Sequence, residues 1–261
     1  MSAKRRWTKS TLVFGGIATW GLILVGCVMV DRTVIAPPHV AGATYVGSNK
    51  CADCHEDITA HFDGATHSRV ALKDDKGTDI GCESCHGAGS VHVKSGGSKG
   101  TIVNPNNSPE TCYQCHLEKR GEFSLPNAHP VANGQVTCGD CHDPHKGHVV
   151  TRSGADLETP NESCTKCHTA QKGPFLFKHN AMDEGCTVCH NPHGSINQKM
   201  LVSRDNNLCL RCHVEHPAVE GNGTILIGTQ DHRTRMQNGA CWSAGCHEDV
   251  HGSNVSKAMR F

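Results

Sequence analysis

The feature that most constrains this chain is the distribution of its cysteines. The 261-residue sequence has 17 cysteines, and all but Cys27 fall into eight close pairs, each followed directly by a histidine. Seven pairs have the form C-x-x-C-H, whereas four residues separate the cysteines of the eighth. In chain order, as sites 1 to 8, they are Cys51/Cys54/His55, Cys82/Cys85/His86, Cys112/Cys115/His116, Cys138/Cys141/His142, Cys164/Cys167/His168, Cys186/Cys189/His190, Cys209/Cys212/His213 and Cys241/Cys246/His247.

The C-x-x-C-H spacing is the attachment motif of c-type haem. Two thiols add to the two vinyl groups of one porphyrin, and the adjacent histidine becomes an axial ligand of the iron. Zinc sites need two cysteine pairs per metal, and disulfides do not require a following histidine. A redox dithiol would be a single pair. The sequence therefore predicts eight covalently attached haems, with a disulfide or an empty site as the alternative at the expanded site 8.

The aromatic content is too small for an ordinary hydrophobic core. The chain has 6 Phe, 3 Trp and 2 Tyr, and three of these residues lie in the N-terminal apolar stretch. We therefore expect a mostly irregular fold with short α-helices, in which the motifs lie on helical turns and the haems form the core. The apo chain is expected not to fold. Because 25 basic residues balance 25 acidic ones, a nucleic-acid partner is not expected.

Internal repetition divides the motifs into four di-haem modules, at 51–92, 112–145, 164–193 and 209–251. Each reads as a motif, a lone histidine, a second motif and a trailing histidine. The closest match is between Gly139–His145 and Thr187–His193. The linkers between modules are rich in turn-forming residues. The chain is thus predicted to be a multihaem wire.

Each iron needs a second axial ligand, and histidine supplies enough candidates. The linking histidines, between the two motifs of a module, are His67, His129, His179 and His232. The trailing histidines are His92, His145, His193 and His251. His39, His61, His148 and His216 are left over, with His61 and His148 as possible substitutes for their neighbours. Methionine ligation is not expected, because Met182, Met200, Met236 and Met259 do not recur between modules.

The trailing histidines of modules two and three lie only three residues after a proximal histidine. So short a link cannot pass around a porphyrin to the opposite face of the same iron. These histidines are therefore expected to bind a different haem and to join the two. The sequence leaves open which haem each linking histidine binds.

The N-terminus carries an export signal. Lys4, Arg5, Arg6 and Lys9 precede an uncharged stretch at 11–30, which a linker at 31–50 follows. Three interpretations of residues 1–30 stay open: a lipoprotein signal with the lipid on Cys27, a retained membrane helix, or a cleaved signal peptide. Each places the haem-binding part outside the cytoplasm, and the first two make it membrane-associated.

Three segments carry a family resemblance: Gly81–His92, Cys186–Gly194 and Cys246–Asn254. They resemble the periplasm-facing multihaem cytochromes of porin–cytochrome conduits, which serve metal reduction and extracellular dimethyl-sulfoxide respiration. The family typically has ten haems, whereas this chain has motifs for eight. The resemblance covers residues 45–254. It implies an outer-membrane β-barrel porin and an outer-surface multihaem cytochrome as partners, with periplasmic cytochromes as donors.

Other functions stay open beside this one. They are a membrane-anchored periplasmic electron shuttle, an extracellular or filament-forming wire and a multihaem reductase. No constellation of catalytic side chains gathers around a site, so an enzyme is not expected. The expanded Cys241/Cys246 site is the one candidate for catalysis.

Overall fold

A computed structural model describes residues 37–70, 80–146, 161–213, 216–217, 225–227, 230–243 and 245–260. The chain divides into the units Met1–Ile35 and Ala36–Phe261, and all described residues belong to the second. The predicted signal or anchor at 1–30 and His148 therefore lie outside the described residues. Within the described part, no helix is long and apolar enough to cross a membrane.

Short helices carry most of the cysteine motifs. The α-helices are α1 (Ser48–Ala52), α2 (Glu56–Phe62), α3 (Glu83–His86), α4 (Ser90–Lys94), α5 (Glu110–Tyr113), α6 (Leu117–Phe123), α7 (Glu162–Thr165), α8 (Ala181–Glu184) and α9 (Asn206–Leu210). Single 3₁₀ turns lie at Thr66–Arg69, Pro105–Asn107, Cys138–Asp140, Thr169–Gln171, Cys186–Val188, Gln198–Met200 and Arg235–Asn238. Seven motifs begin in or beside a short α-helix or a 3₁₀ turn, as expected. The exception is site 8, where Cys241 lies in a non-helical turn.

The strands are equally short: β1 (Phe177–Lys178), β2 (His216–Pro217), β3 (Ile225–Ile227), β4 (Gln230–Asp231) and β5 (Gly252–Ser253). They form an antiparallel β1–β5 pair and an antiparallel three-stranded sheet in the order β2–β3–β4. The described part is thus mostly irregular, in agreement with the predicted fold class.

One contact recurs between consecutive predicted modules. Phe177 pairs with Ser253 across β1 and β5, and Asn127 forms an antiparallel bridge with Ser195 one module earlier. In each case the first residue lies two places before a linking histidine. Its partner lies two places after the trailing histidine of the next module. Modules two and three, and likewise modules three and four, are therefore joined by the same interlock.

The last module closes on itself instead. Gln230 holds the corresponding place, two residues before His232. It pairs with Ile227 of β3 in the same module, and the His232 N–H donates to the Ile225 carbonyl at 2.8 Å. The segment that pairs with the following module in modules two and three thus pairs within its own module here.

The apolar core of the described residues is small. The fully buried apolar residues there are Ala65, Ile80, Ala88, Tyr113, Val131, Leu201 and Ala240. Leu176, Ile196 and Val255 are 72%, 75% and 67% exposed. So little burial of large side chains cannot offset the conformational entropy of a chain of this length. This supports the expectation that cofactors supply much of the core.

Candidate cofactor-binding sites

A single hydrogen bond positions the proximal histidine in every site. The histidine N–H donates to the carbonyl of the first cysteine of its motif at 2.8–3.1 Å in all eight sites. In sites 1 to 7 this is an ordinary helical turn. Site 8 keeps the bond from His247 to Cys241 at 3.1 Å, although its loop is two residues longer. The longer loop therefore leaves this hydrogen bond between the histidine and the first cysteine in place.

The first cysteine of site 8 is also held as in site 6. Asn206 Oδ1 accepts a hydrogen bond from the Cys241 N–H at 2.8 Å, and Asn161 Oδ1 accepts one from the Cys186 N–H at 2.9 Å. Each asparagine lies three residues before the first cysteine of the preceding site. In both modules, an asparagine beside the odd-numbered site thus holds the first cysteine of the even-numbered site. This contact orients the two sites of the module relative to each other.

The imidazole of the proximal histidine has the same support in these two sites. The Nδ1 of His247 lies 2.6 Å from the Ala258 carbonyl, and that of His190 lies 2.8 Å from the Lys199 carbonyl. A carbonyl partner makes Nδ1 the protonated nitrogen and leaves Nε2 free as a metal ligand. These contacts of site 8 thus match those of site 6 despite its longer loop.

Seven proximal histidines face a second imidazole. The pairs are His55–His92, His67–His116, His86–His145, His129–His168, His142–His193, His179–His213 and His190–His251, with ring centroids 6.0–6.4 Å apart. Fourteen of the sixteen predicted iron ligands are thus brought together in twos. Every pair combines one proximal histidine with one linking or trailing histidine.

The separation in these pairs fits a single metal ion between two imidazoles. An imidazole nitrogen binds a transition metal at about 2.0 Å and the ring centre lies about 1.1 Å further, so two axial ligands place their ring centres about 6.2 Å apart. Rings in direct stacking contact would lie closer than this. With two cysteines on the proximal side of each pair, the donor set is that of a bis-histidine c-type haem.

The pairs connect different modules. In three pairs a linking histidine faces the first proximal histidine of the next module, as His67 faces His116. In three others a trailing histidine faces the second proximal histidine of the preceding module, as His145 faces His86. The exception is His55–His92, where both members belong to module one. Each trailing histidine thus lies opposite a site other than the one it follows.

Backbone carbonyls of the next module orient two of the linking histidines. The Nδ1 of His129 lies 2.6 Å from the Pro192 carbonyl, and that of His179 lies 2.9 Å from the Val250 carbonyl. Both carbonyls belong to the residue just before a trailing histidine. Because one module fixes the imidazole that another module contributes, the pairing depends on the interlock described above.

Two predicted ligands remain. His232 and His247 face no imidazole among the residues that the structure describes, and the Nδ1 of His232 lies 3.0 Å from the Gln230 carbonyl of its own strand. Of the leftover histidines, His39 and His61 are exposed. The backbone of His216 lies in β2.

The cysteines show the order of the sites. Within modules, the first cysteines of the two sites interact, in the pairs Cys51–Cys82, Cys112–Cys138, Cys164–Cys186 and Cys209–Cys241. Between modules, the second cysteine of an even site lies within electrostatic range of the next odd site, in the pairs Cys85–Cys115, Cys141–Cys167 and Cys189–Cys212. The eight sites therefore follow one another in sequence order, as a single file.

Cys54 differs from the other predicted cofactor-binding cysteines of the odd sites. Cys54 is exposed like Cys115, Cys167 and Cys212, but it belongs to none of the pairs just given. Cys115, Cys167 and Cys212 hold the same place in their motifs, and each lies near a cysteine of the preceding even site. Haem attachment at Cys54, as at the other cysteines of the motifs, stays a prediction from the motif.

Contact between these sulfurs shifts the pKa values of the free thiols. The hydrogen bond between Cys51 and Cys82 raises the pKa of Cys51 far above its usual range and lowers that of Cys82 to about 6. The corresponding hydrogen bond to Cys112 lowers the pKa of Cys138 to about 7. Because a thiolate is the reactive form of cysteine, Cys82 and Cys138 are the more reactive thiols of these two pairs when free of haem.

The alternative uses of the cysteines find no support in the described residues. All sixteen cysteines of the motifs are free thiols there, including Cys241 and Cys246. Likewise, no three His, Cys, Asp or Glu side chains of the described part converge on a site for a bare metal ion.

Two carboxylates near the sites were not singled out from sequence. Glu122 Oε2 lies 3.1 Å from the Nδ1 of His193, and Glu83 is buried between sites 1 and 2. Glu83 could have been noticed as an acidic residue inside a C-x-x-C loop. Nothing in the sequence relates Glu122 to His193, which lies 71 residues later.

Comparisons with known proteins agree with this geometry. The family model described as the doubled CXXCH motif matches residues 129–173 and 179–218. The chain is also 34% identical over 208 residues to the multiheme cytochrome MtrA of Shewanella baltica (strain OS185), covering 78% of this chain. The chain spans 57% of the length of that relative.

Proposed function

Because the chain belongs to the multihaem c-type cytochromes, we propose that it is an octahaem electron conduit in which each haem is held by two cysteines and two histidines. The observation that carries the proposal is the set of seven imidazole pairs, 6.0–6.4 Å apart, each on a cysteine motif. When bound, haem supplies one-electron redox chemistry. The chain itself supplies spacing, ligation and order.

Sites 1 to 7 would each use their two cysteines, their proximal histidine and the histidine that faces it. This ligation leaves no coordination position for a substrate, and an iron with two imidazoles has a lower potential than one with histidine and methionine. Electron transfer is therefore the function that the donor set supports, with catalysis disfavoured at these seven sites.

At site 8 the assignment of His232 stays a prediction. The first module supports it in one respect: His55 and His92, which face no histidine of another module, face each other. His232 and His247 likewise face no histidine of another module among the described residues. Electron paramagnetic resonance of His232→Ala tests this. A new high-spin signal supports ligation by His232, and an unchanged spectrum contradicts it.

The single file of sites suits transport across a barrier. Since the sulfurs of consecutive sites are neighbours, an electron that enters at one end passes each site in sequence order before it leaves at the other. The family resemblance implies such a barrier, an outer membrane in which a β-barrel porin surrounds the cytochrome. We propose that periplasmic donors reduce this chain and that an outer-surface multihaem cytochrome oxidises it, with metal oxides among the final acceptors.

Two measurements test this function. The mass of the intact purified protein should exceed that of the polypeptide by eight haems, and the peptide with Cys241 and Cys246 should carry one of them. A tagged chain isolated from detergent-solubilised membranes of its host should retain a β-barrel and a second, larger cytochrome. Co-isolation with an inner-membrane quinol-oxidising protein, or with none, would instead favour the anchored periplasmic shuttle. A membrane helix retained at 11–30 would also favour the shuttle, whereas a lipid on Cys27 would favour the outer membrane.

A further inference from the structure

The most deeply buried charged side chain of the described residues is Glu83, which is 1% exposed. Its carboxylate accepts hydrogen bonds from three backbone amides. The Gly89 N–H lies 2.7 Å from Oε1, the Gly47 N–H lies 2.9 Å from Oε2, and the Val46 N–H lies 3.0 Å from Oε1 and 3.2 Å from Oε2. Both oxygens are therefore used as acceptors, as an ionised carboxylate requires.

The surroundings of Glu83 are closely packed on the side of Gly89. A Cβ on Gly89 would lie 3.3 Å from Glu83 Oε1 and 3.3 Å from Val46 Cγ2. Among the described residues, no lysine or arginine forms an ion pair with Glu83. A buried carboxylate without a cation is expensive to desolvate, and the amide hydrogen bonds offset only part of that cost. Its position next to redox sites offers a reason for keeping the charge.

Glu83 lies between the first two sites of the file. It directly follows Cys82 in the loop of site 2, and its amide partners at 46 and 47 directly precede the α1 helix that carries Cys51 of site 1. The pKa of the Cys51 thiol is raised by its hydrogen bond to Cys82, by burial and, further, by the charge of Glu83. The carboxylate is thus close enough to act on both sites.

The other carboxylates inside C-x-x-C loops differ in exposure. Asp53 in site 1 is 61% exposed and pairs with Lys50, and Asp140 in site 4 is exposed as well. Water and salt screen exposed charges, whereas a charge in the protein interior acts through a lower effective dielectric constant. Glu83 therefore has the larger effect on any redox centre beside it.

We propose that Glu83 sets the reduction potentials of sites 1 and 2, and that its buried negative charge makes them the low-potential end of the file. The inference rests on the proposed function. Uptake of one electron removes one positive charge from a haem iron, and a fixed neighbouring anion opposes that change, so the potential falls. Electrons would then enter at sites 1 and 2 and move downhill toward the C-terminal sites.

Two substitutions separate charge from shape. Glu83→Gln removes the charge and keeps the size, and Glu83→Asp keeps the charge and shortens the side chain. Asp53→Asn is the control, since it removes an exposed charge from the loop of site 1. The readout is a full spectroelectrochemical titration, with haem content and the low-spin spectrum measured on the same samples.

The expected result is that Glu83→Gln moves the lowest-potential one or two of the eight electrons to higher potential, while Glu83→Asp and Asp53→Asn stay close to wild type. Identical redox titrations of wild type and the three variants, at full haem content, would overturn the proposal. An equal shift of the reduction potentials in Glu83→Gln and Glu83→Asp would also overturn it, because that would indicate a structural effect.

The wild-type protein provides a test that does not depend on folding of the variants. Nuclear magnetic resonance assignment of the haem methyl groups gives the order in which individual sites are reduced. Sites 1 and 2 should be the last to be reduced as the potential is lowered. Reduction of both before one or more of the other sites would contradict the proposal. Wild-type protein without haem would instead reject the proposed function itself.

Discussion

Glu122 accepts a hydrogen bond from the imidazole of His193, with 3.1 Å between Oε2 and Nδ1. The carboxylate also accepts one from Lys119 Nζ at 2.8 Å. His193 faces His142 of site 4, so Glu122 acts on the far side of a proposed iron ligand. Several other facing imidazoles are held by backbone carbonyls instead, as His179 is by Val250. A carboxylate partner makes an imidazole a stronger electron donor than a carbonyl does.

We expect Glu122→Gln to raise the reduction potential of site 4, because a neutral partner stabilises the oxidised iron less. In a redox titration, one electron of the set should move to higher potential. Glu118→Gln is the control, since Glu118 is 60% exposed and lies 3.6 Å from the Nδ1 of His116. Identical titrations of the two variants would show that the Glu122 contact has no electronic role.

The same carboxylate should contribute to stability in a pH-dependent way. The hydrogen bond from Lys119 lowers the pKa of Glu122 below its ordinary value. A lowered folded-state pKa stabilises the protein above the unfolded pKa of about 4.3, and this contribution is lost as the pH falls through the folded pKa. Glu122→Gln should therefore have a lower free energy of unfolding than wild type at pH 7, and the difference should narrow toward pH 3. Denaturant unfolding at the two pH values measures this difference. A difference that is the same at both pH values would refute the contribution of the Glu122 pKa.

The interlock between modules two and three should be sensitive to one methyl group. A Cβ at Gly194 would overlap the Glu122 carbonyl oxygen, so Gly194→Ala must push two backbone segments apart. Overpacking of this kind costs about 1–3 kcal/mol. Gly121→Ala is a matched control, because Gly121 lies inside α6 with open space around its Cα and should gain about 0.5–1 kcal/mol in helix stability. Thermal unfolding of the haem-loaded proteins compares them, and equal melting temperatures would contradict the close contact.

Pairing across modules can be tested at His67, which faces His116 of site 3. We expect His67→Ala to produce one high-spin haem, at site 3, although His67 lies in the sequence between sites 1 and 2. His61→Ala is the control, because His61 is exposed and its Nδ1 lies 2.7 Å from the Asp57 carbonyl. Electron paramagnetic resonance detects the new signal, and site-specific assignment locates it. A signal at site 1 or 2 would show that the linking histidine serves its own module.

The donor set could be derived from the sequence, because c-type haem attachment depends on local covalent geometry. The spacing of Cys186, Cys189 and His190 is sufficient to indicate a haem, and periodic repetition indicates which further histidines belong to each module. The scarcity of large apolar residues similarly indicates an irregular fold with short helices. These features depend on near neighbours in the chain, which the sequence shows directly.

Only the tertiary structure decided which histidines face each other. His129 and His168 are 39 positions apart and belong to different modules, and their pairing depends on the Asn127–Ser195 bridge and on the Pro192 carbonyl. Burial is decided in the same way: Asp53 and Glu83 both lie in C-x-x-C loops, yet one carboxylate is in solvent and the other is enclosed by three amides. Long-range contacts and exposure arise when the whole chain packs, and no local pattern encodes them.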